Sequence, residues 1–111
     1  MRSVPVSYQE RGRMGGPDPS WSLQHLPWPE VGRKLALDPR LILPVGAMVQ
    51  HGPHLPLGTN TFIVEEVADE VSRRTQILLA PPFGYGVWNP GKESYAGSTG
   101  IERKTLHRAL N

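Results

Sequence analysis

Two short apolar runs, RLILPVG at 40–46 and QILLA at 76–80, bracket a stretch of helical periodicity, TFIVEEVADEVSRR at 61–74. Each run is too short for a helix and stops at Gly or Pro, which reads as a buried strand. Between them Phe62, Ile63, Val67, Ala68 and Val71 share one helical face. Glu65, Glu66, Asp69 and Glu70 precede Arg73 and Arg74, the charge order that complements the helix dipole. Strand, loop, helix and strand in this succession make a βαβ unit. Such a unit closes through a right-handed crossover onto a parallel sheet, so the pattern predicts an α/β fold.

The flanking stretches are less constrained. LPWPEVGRKLALDPR predicts a short helix: Pro29 suits a first turn, and Val31, Leu35 and Leu37 give it weak amphipathicity. Asp38-Pro39 forces its end. Residues 1–20 mix Arg, Gly, Pro and Ser without period and read as a disordered leader, which leaves 21–111 as the folded part. The segment 83–100 is long, irregular and rich in Gly, and IERKTLHRALN opens a further helix.

Composition excludes several classes of function. The 111 residues contain no cysteine, which rules out disulfides, cysteine–zinc sites and thiol catalysis. Formal net charge is only +2 and the arginines are scattered, so no nucleic acid is expected as a partner. No apolar stretch reaches bilayer length, and the basic N-terminus lacks the apolar core of a secretory signal. The expectation is a cytoplasmic protein with no membrane partner. A G-x-S-x-G elbow is absent, and the glycines of FGYGVWNPG do not open a helix after a strand, so neither serine hydrolase nor dinucleotide binding is supported. Tyr85, Trp88 and Tyr95 suit either a pocket wall for a small planar substrate or ordinary loop packing.

In α/β sheets, ligands gather in the loops beyond the carboxyl ends of the strands. GAMVQHGPHLPLGTNT, at 46–61, is such a loop, and it carries His51 and His54 three residues apart. Neutral imidazoles are good metal ligands, but zinc sites usually present three or more. Taken alone, the residues leave open a ligand pair or a proline-stiffened turn with hydrogen-bonded histidines. His25 and His107 stand by themselves and read as ordinary surface or core residues.

The run LILPVGAMVQHGPHLPLGTN resembles the N-terminal signature of the creatininase (creatinine amidohydrolase) family. There a strand leads into P-x-G-x-x-E-Q-H-G-x-H-L-P-x-x-T-D. LPWPEV is similar to the opening of the family's first helix, and LLAPPFGYGVWNPGKESYAGSTGIERKTL to its P-P-x-x-Y-G stretch and the helix beyond. The resemblance covers residues 23–110. It implies a three-layer α/β/α sandwich with a mainly parallel sheet, of which 21–111 is a truncated, N-terminal part. It also implies a homohexamer, two divalent metals (zinc or manganese), and hydrolysis of a C–N bond in a small cyclic or linear amide by a metal-bridging water.

Carried over position by position, His51 matches a ligand histidine of the signature. The glutamate position is Val49, which has no donor atom, and the metal-bridging aspartate position is Asn60. A neutral amide there removes a negative charge between two dications, a loss on the order of several kcal/mol in a low-dielectric site. The family's other ligands belong to segments downstream of Asn111. Gln50 suits a hydrogen bond to a metal ligand or to the loop backbone. His54 matches the signature's second histidine, and Glu93 lies where members carry an active-site acidic or polar residue. Ser98 and Thr99 match a neighbourhood near the family's active site, or serve a local turn or the final helix as an N-cap. The expected function is a creatininase-like amidohydrolase chain that is inactive alone, the alternative being a non-catalytic scaffold or assembly partner.

Overall fold

The structure, a computed structural model, describes residues 19–87 and 95–111. Nearly all of the expected leader, together with Trp88 and Glu93, lies outside the described residues.

A single 3₁₀ turn, Leu23–His25, leads into helix α1, Trp28–Leu37. Pro29 occupies the first turn of α1, where its missing N–H costs nothing. The helix ends at Asp38, whose carboxylate receives the Arg40 Nε and Nη2 groups at 2.9 and 2.8 Å. Strand β1, Leu41–Ile42, follows, and the chain then runs through the histidine loop into α2, Thr59–Thr75. Gln76 closes α2 in the left-handed conformation (φ 57°), its N–H donating to Ser72 O at 2.8 Å. That sharp reversal sends the chain directly into β2, Leu78–Leu79, and helix α3, Arg103–Leu110, comes last.

The sheet has the parallel pairing that the βαβ pattern predicts, with Leu41 opposite Leu78 and Ile42 opposite Leu79. Pairing continues past the named strands. Ala80 N–H donates to Ile42 O, Phe83 N–H to Pro44 O and Gly46 N–H to Phe83 O, each at 2.8 Å. On its other side Leu79 N–H donates to Trp21 O, also at 2.8 Å, which makes β2 the centre of the sheet. Accordingly the apolar core among the described residues is Ile77, Leu78, Leu79 and Ala80 of this central run, with Ala68 of α2 laid against it.

Two expectations from periodicity are corrected. Of the five apolar residues assigned to the inner face of α2, only Ala68 is buried; Phe62, Ile63, Val67 and Val71 are exposed. The helix instead turns Ala68, Asp69 and Ser72 inward. The reason is close approach: Ser72 Oγ donates to Ile77 O at 2.6 Å, tying the last turn of the helix to the start of β2, and small side chains permit it. The second correction concerns β1, read as buried. Its alternate residues Leu41, Leu43 and Val45 are 49, 43 and 40% exposed, because nothing described covers that face. No helix among the described residues is long and apolar enough to cross a membrane.

Candidate functional site

The loop between β1 and α2 departs from the carboxyl end of the strand, as in other parallel sheets. Gly46 makes the departure possible. A Cβ on Gly46 would collide with the Thr61 side chain and lie 2.7 Å from Thr61 Cα, so the first turn of α2 rests directly on the strand end. Gly52 turns the loop in the left-handed region (φ 83°) directly after His51. Gln50 stabilises that turn, its Oε1 accepting the Gly52 N–H at 2.8 Å. Of the two roles open to Gln50, the loop-backbone bond is the one the structure contains.

A second segment clamps the loop from outside. Thr99 N–H donates to Met48 O at 2.8 Å in an antiparallel bridge, and Gln50 N–H donates to Ser98 Oγ at 3.2 Å. Val49 N–H donates to Leu57 O at 3.3 Å, closing the loop on itself. Leu57 in turn lies against Gly97, whose φ of 84° is in the left-handed region that favours glycine. Ser98 and Thr99 are thus drawn to the loop across a separation of almost fifty residues. Neither caps α3, whose N-cap position is Glu102.

Within this frame His51 is half-buried and its Nε2 is shut off from solvent without a hydrogen-bond partner. A buried imidazole nitrogen in that state is a donor atom awaiting a partner. Val49 and Asn60 are also half-buried, Asn60 in the first turn of α2. His54 is exposed beyond the turn, with its ring 3.3 Å from where a Gly52 Cβ would stand. One feature that the sequence did not indicate is Thr61. Its Oγ1 is buried without a partner, facing Gly46 and Gly84. Its signal is the absence of side chains opposite it, visible only in three dimensions.

Among the described residues no group of three or more His, Asp or Glu side chains is arranged to hold a metal ion. His51 fits as one ligand, Val49 offers no donor and Asn60 only a neutral oxygen. The described residues do not fit a binuclear centre.

The remaining histidines stand apart from the loop. His25 Nδ1 lies 2.9 Å from Ser22 Oγ beside the sheet, and His107 Nε2 lies 2.9 Å from Asn111 Nδ2 on α3.

Comparison with known proteins bears on the loop and the fold together. The sequence pattern of the family described as "Creatininase: Creatinine amidohydrolase" matches residues 24–111. A mycofactocin precursor peptide peptidase of Mycobacterium ulcerans (strain Agy99) is 40% identical over 81 residues, covering 65% of this chain and 32% of that protein. Creatinine amidohydrolase of Pseudomonas putida is 31% identical over 86 residues, covering 73% of this chain and 33% of that protein. Among solved structures, a creatininase mutant of the Zn–Zn type superposes with a TM-score of 0.75 at 28% identity, over 80% of this chain and 36% of that one. A Mn form of creatininase superposes with the same TM-score at 27% identity, over 81% and 37%. The chain therefore spans about a third of the length of the relatives it matches.

Proposed function

The chain belongs to the creatininase family, and from that membership we propose that residues 21–111 form the N-terminal scaffold of a creatininase-like amidohydrolase and do not by themselves hydrolyse an amide. The observation that carries this reading is the composition of the β1–α2 loop. His51 keeps an unpartnered, buried Nε2, while the two carboxylate positions of the family signature are Val49 and Asn60.

Two of the matched relatives are by name an amidohydrolase and a peptidase, both of which cleave amide C–N bonds. A small amide or peptide bond is accordingly the substrate class for which the scaffold was built. Zinc and manganese forms of the solved creatininases make a divalent cation the natural occupant of the loop in a complete site. In this chain His51 is the ligand that remains. Gln50 and Ser98 hold the loop backbone around it, Thr99 anchors Met48, and His54 and Glu93 are candidates for contact with substrate.

A single imidazole binds a divalent cation weakly compared with a site of three or more donors. Calorimetric titration of the chain with Zn²⁺ and with Mn²⁺ should show no tight site, and no amide hydrolysis should accompany it. Two tight metal equivalents per chain would overturn the reading. The scaffold role also fits the open face of β1, which a non-catalytic assembly partner would use.

A further inference from the structure

Helix α2 is anchored to the sheet unevenly. Its buried residues, Ala68, Asp69 and Ser72, all lie in the second half, and Ser72 Oγ ties the last turn to Ile77 O. Residues 59–67 contribute none. Phe62 and Ile63 are each 59% exposed, and no side chain caps the helix at Gly58. What seats this end is the close approach of Thr61 to Gly46. The seat leaves Thr61 Oγ1 buried without a hydrogen-bond partner. His51 Nε2 is in the same state, in the loop that runs from Gly46 to Gly58. By contrast, buried Asp69 Oδ2 and Arg73 Nε have each other, 3.5 Å apart. An unpaired buried polar atom destabilises the closed arrangement, and water relieves it once the atom is exposed. Few buried contacts and unpaired polar atoms at one joint mark a segment of low local stability.

We propose that the first two turns of α2 lift from Gly46 as a local opening, which delivers His51 Nε2 and Thr61 Oγ1 together to water and to a ligand. The rest of the fold stays closed, because Ser72 holds the other end of the helix to β2. Met48 and Gln50 stay tied to Thr99 and Ser98, so the loop is freed at its helical end only. Thr61 sets the population of the open form, since its hydroxyl is hydrated there and orphaned in the closed form. The use made of the opening rests on His51 being the remaining ligand, whereas the experiment reads the opening itself. Failure of either reading leaves the other standing.

The test is native-state hydrogen exchange of the full chain with Thr61 intact, Thr61→Val and Thr61→Ser. Gly46 N–H, bonded to Phe83 O, and Phe62 N–H, bonded to Gly58 O, report the seat, and Ala80 N–H, bonded to Ile42 O, reports the sheet. In the parent, Gly46 and Phe62 should exchange about tenfold or more faster than Ala80. Thr61→Val keeps the branched shape without the hydroxyl. It should slow exchange at Gly46 and Phe62 about tenfold and raise the midpoint of chemical denaturation. Thr61→Ser keeps the hydroxyl and should retain the fast exchange. Broadening of the His51 ring resonances by Mn²⁺ should need about tenfold more metal in Thr61→Val, since less of the chain is open. Equal exchange at all three amides of the parent overturns the proposal. So does a Thr61→Val chain that is less stable or exchanges as fast, because the hydroxyl then has a partner in the closed form, a buried water included. Broadening of His51 that is absent, or equal in both chains, overturns its link to the opening.

Discussion

At Val49 and Asn60, the two positions where we propose that the family's loop has lost its carboxylates, the difference is a matter of charge. Neither residue disturbs the backbone, since Val49 keeps its N–H bond to Leu57 O and Asn60 sits in a regular helical turn. Restoring both carboxylates should therefore restore affinity without refolding the loop. Val49→Glu combined with Asn60→Asp is expected to raise Zn²⁺ affinity at least tenfold over the parent chain, measured by calorimetry. An unchanged titration would show that the loop geometry, and not only its charge, has drifted. A second residue-scale effect lies at the end of α1. The Arg40 side chain, followed by its backbone N–H, holds the Asp38 carboxyl down to about 2. A depressed acid stabilises the folded state at pH values above its unfolded value and loses that contribution as pH falls toward the folded value. Arg40→Ala should return Asp38 toward its ordinary value of 3.8, as followed by NMR titration of its carboxyl carbon.

At the scale of the elements, the crossover depends on two close approaches. One is Ser72 against Ile77 at the end of α2, and the other is Gly46 against Thr61 at its start. Gly46→Ala places a methyl into the backbone of the first turn, which must move. The expected cost is about 2 kcal/mol, with displaced resonances at Thr61 and His51. An equally stable variant with an unshifted His51 would refute the packing. The start, end and direction of α1, α2 and β2 were legible from proline positions, charge order and apolar runs. The buried face of α2 was not, because hydrophobicity named Ile63, Val67 and Val71 whereas close packing selected Ala68 and Ser72. Periodicity reports where apolar surface lies, and it does not report whether a partner exists to cover it.

Across the whole molecule, the consequence is a small core and much apolar surface left open. The radius of gyration, 16.4 Å, exceeds the ~13 Å of a compact domain of this size. Stability should accordingly be concentrated at β2. Leu78→Ala, at a residue 2% exposed, is expected to cost about 3 kcal/mol in chemical denaturation. Ile63→Ser and Val67→Ser, at 59 and 57% exposed, should each change stability by less than about 0.5 kcal/mol. Comparable losses at all three positions would mean that α2 buries its outer ridge in solution.

The sequence by itself determined the βαβ order, the helix limits near Asp38 and Gln76, and the loop that identifies the family. These follow from local rules, since proline, glycine and the loop run QHGPHLP at 50–56, six of whose seven residues match specified positions of the signature, act on their immediate neighbours. Only the tertiary structure decided that Ser98 and Thr99 clamp the loop, that Thr61 Oγ1 lies buried against Gly46, and that no described residue pairs with the outer edge of β1. Each of these depends on contact between segments distant in the chain, which no local spacing encodes.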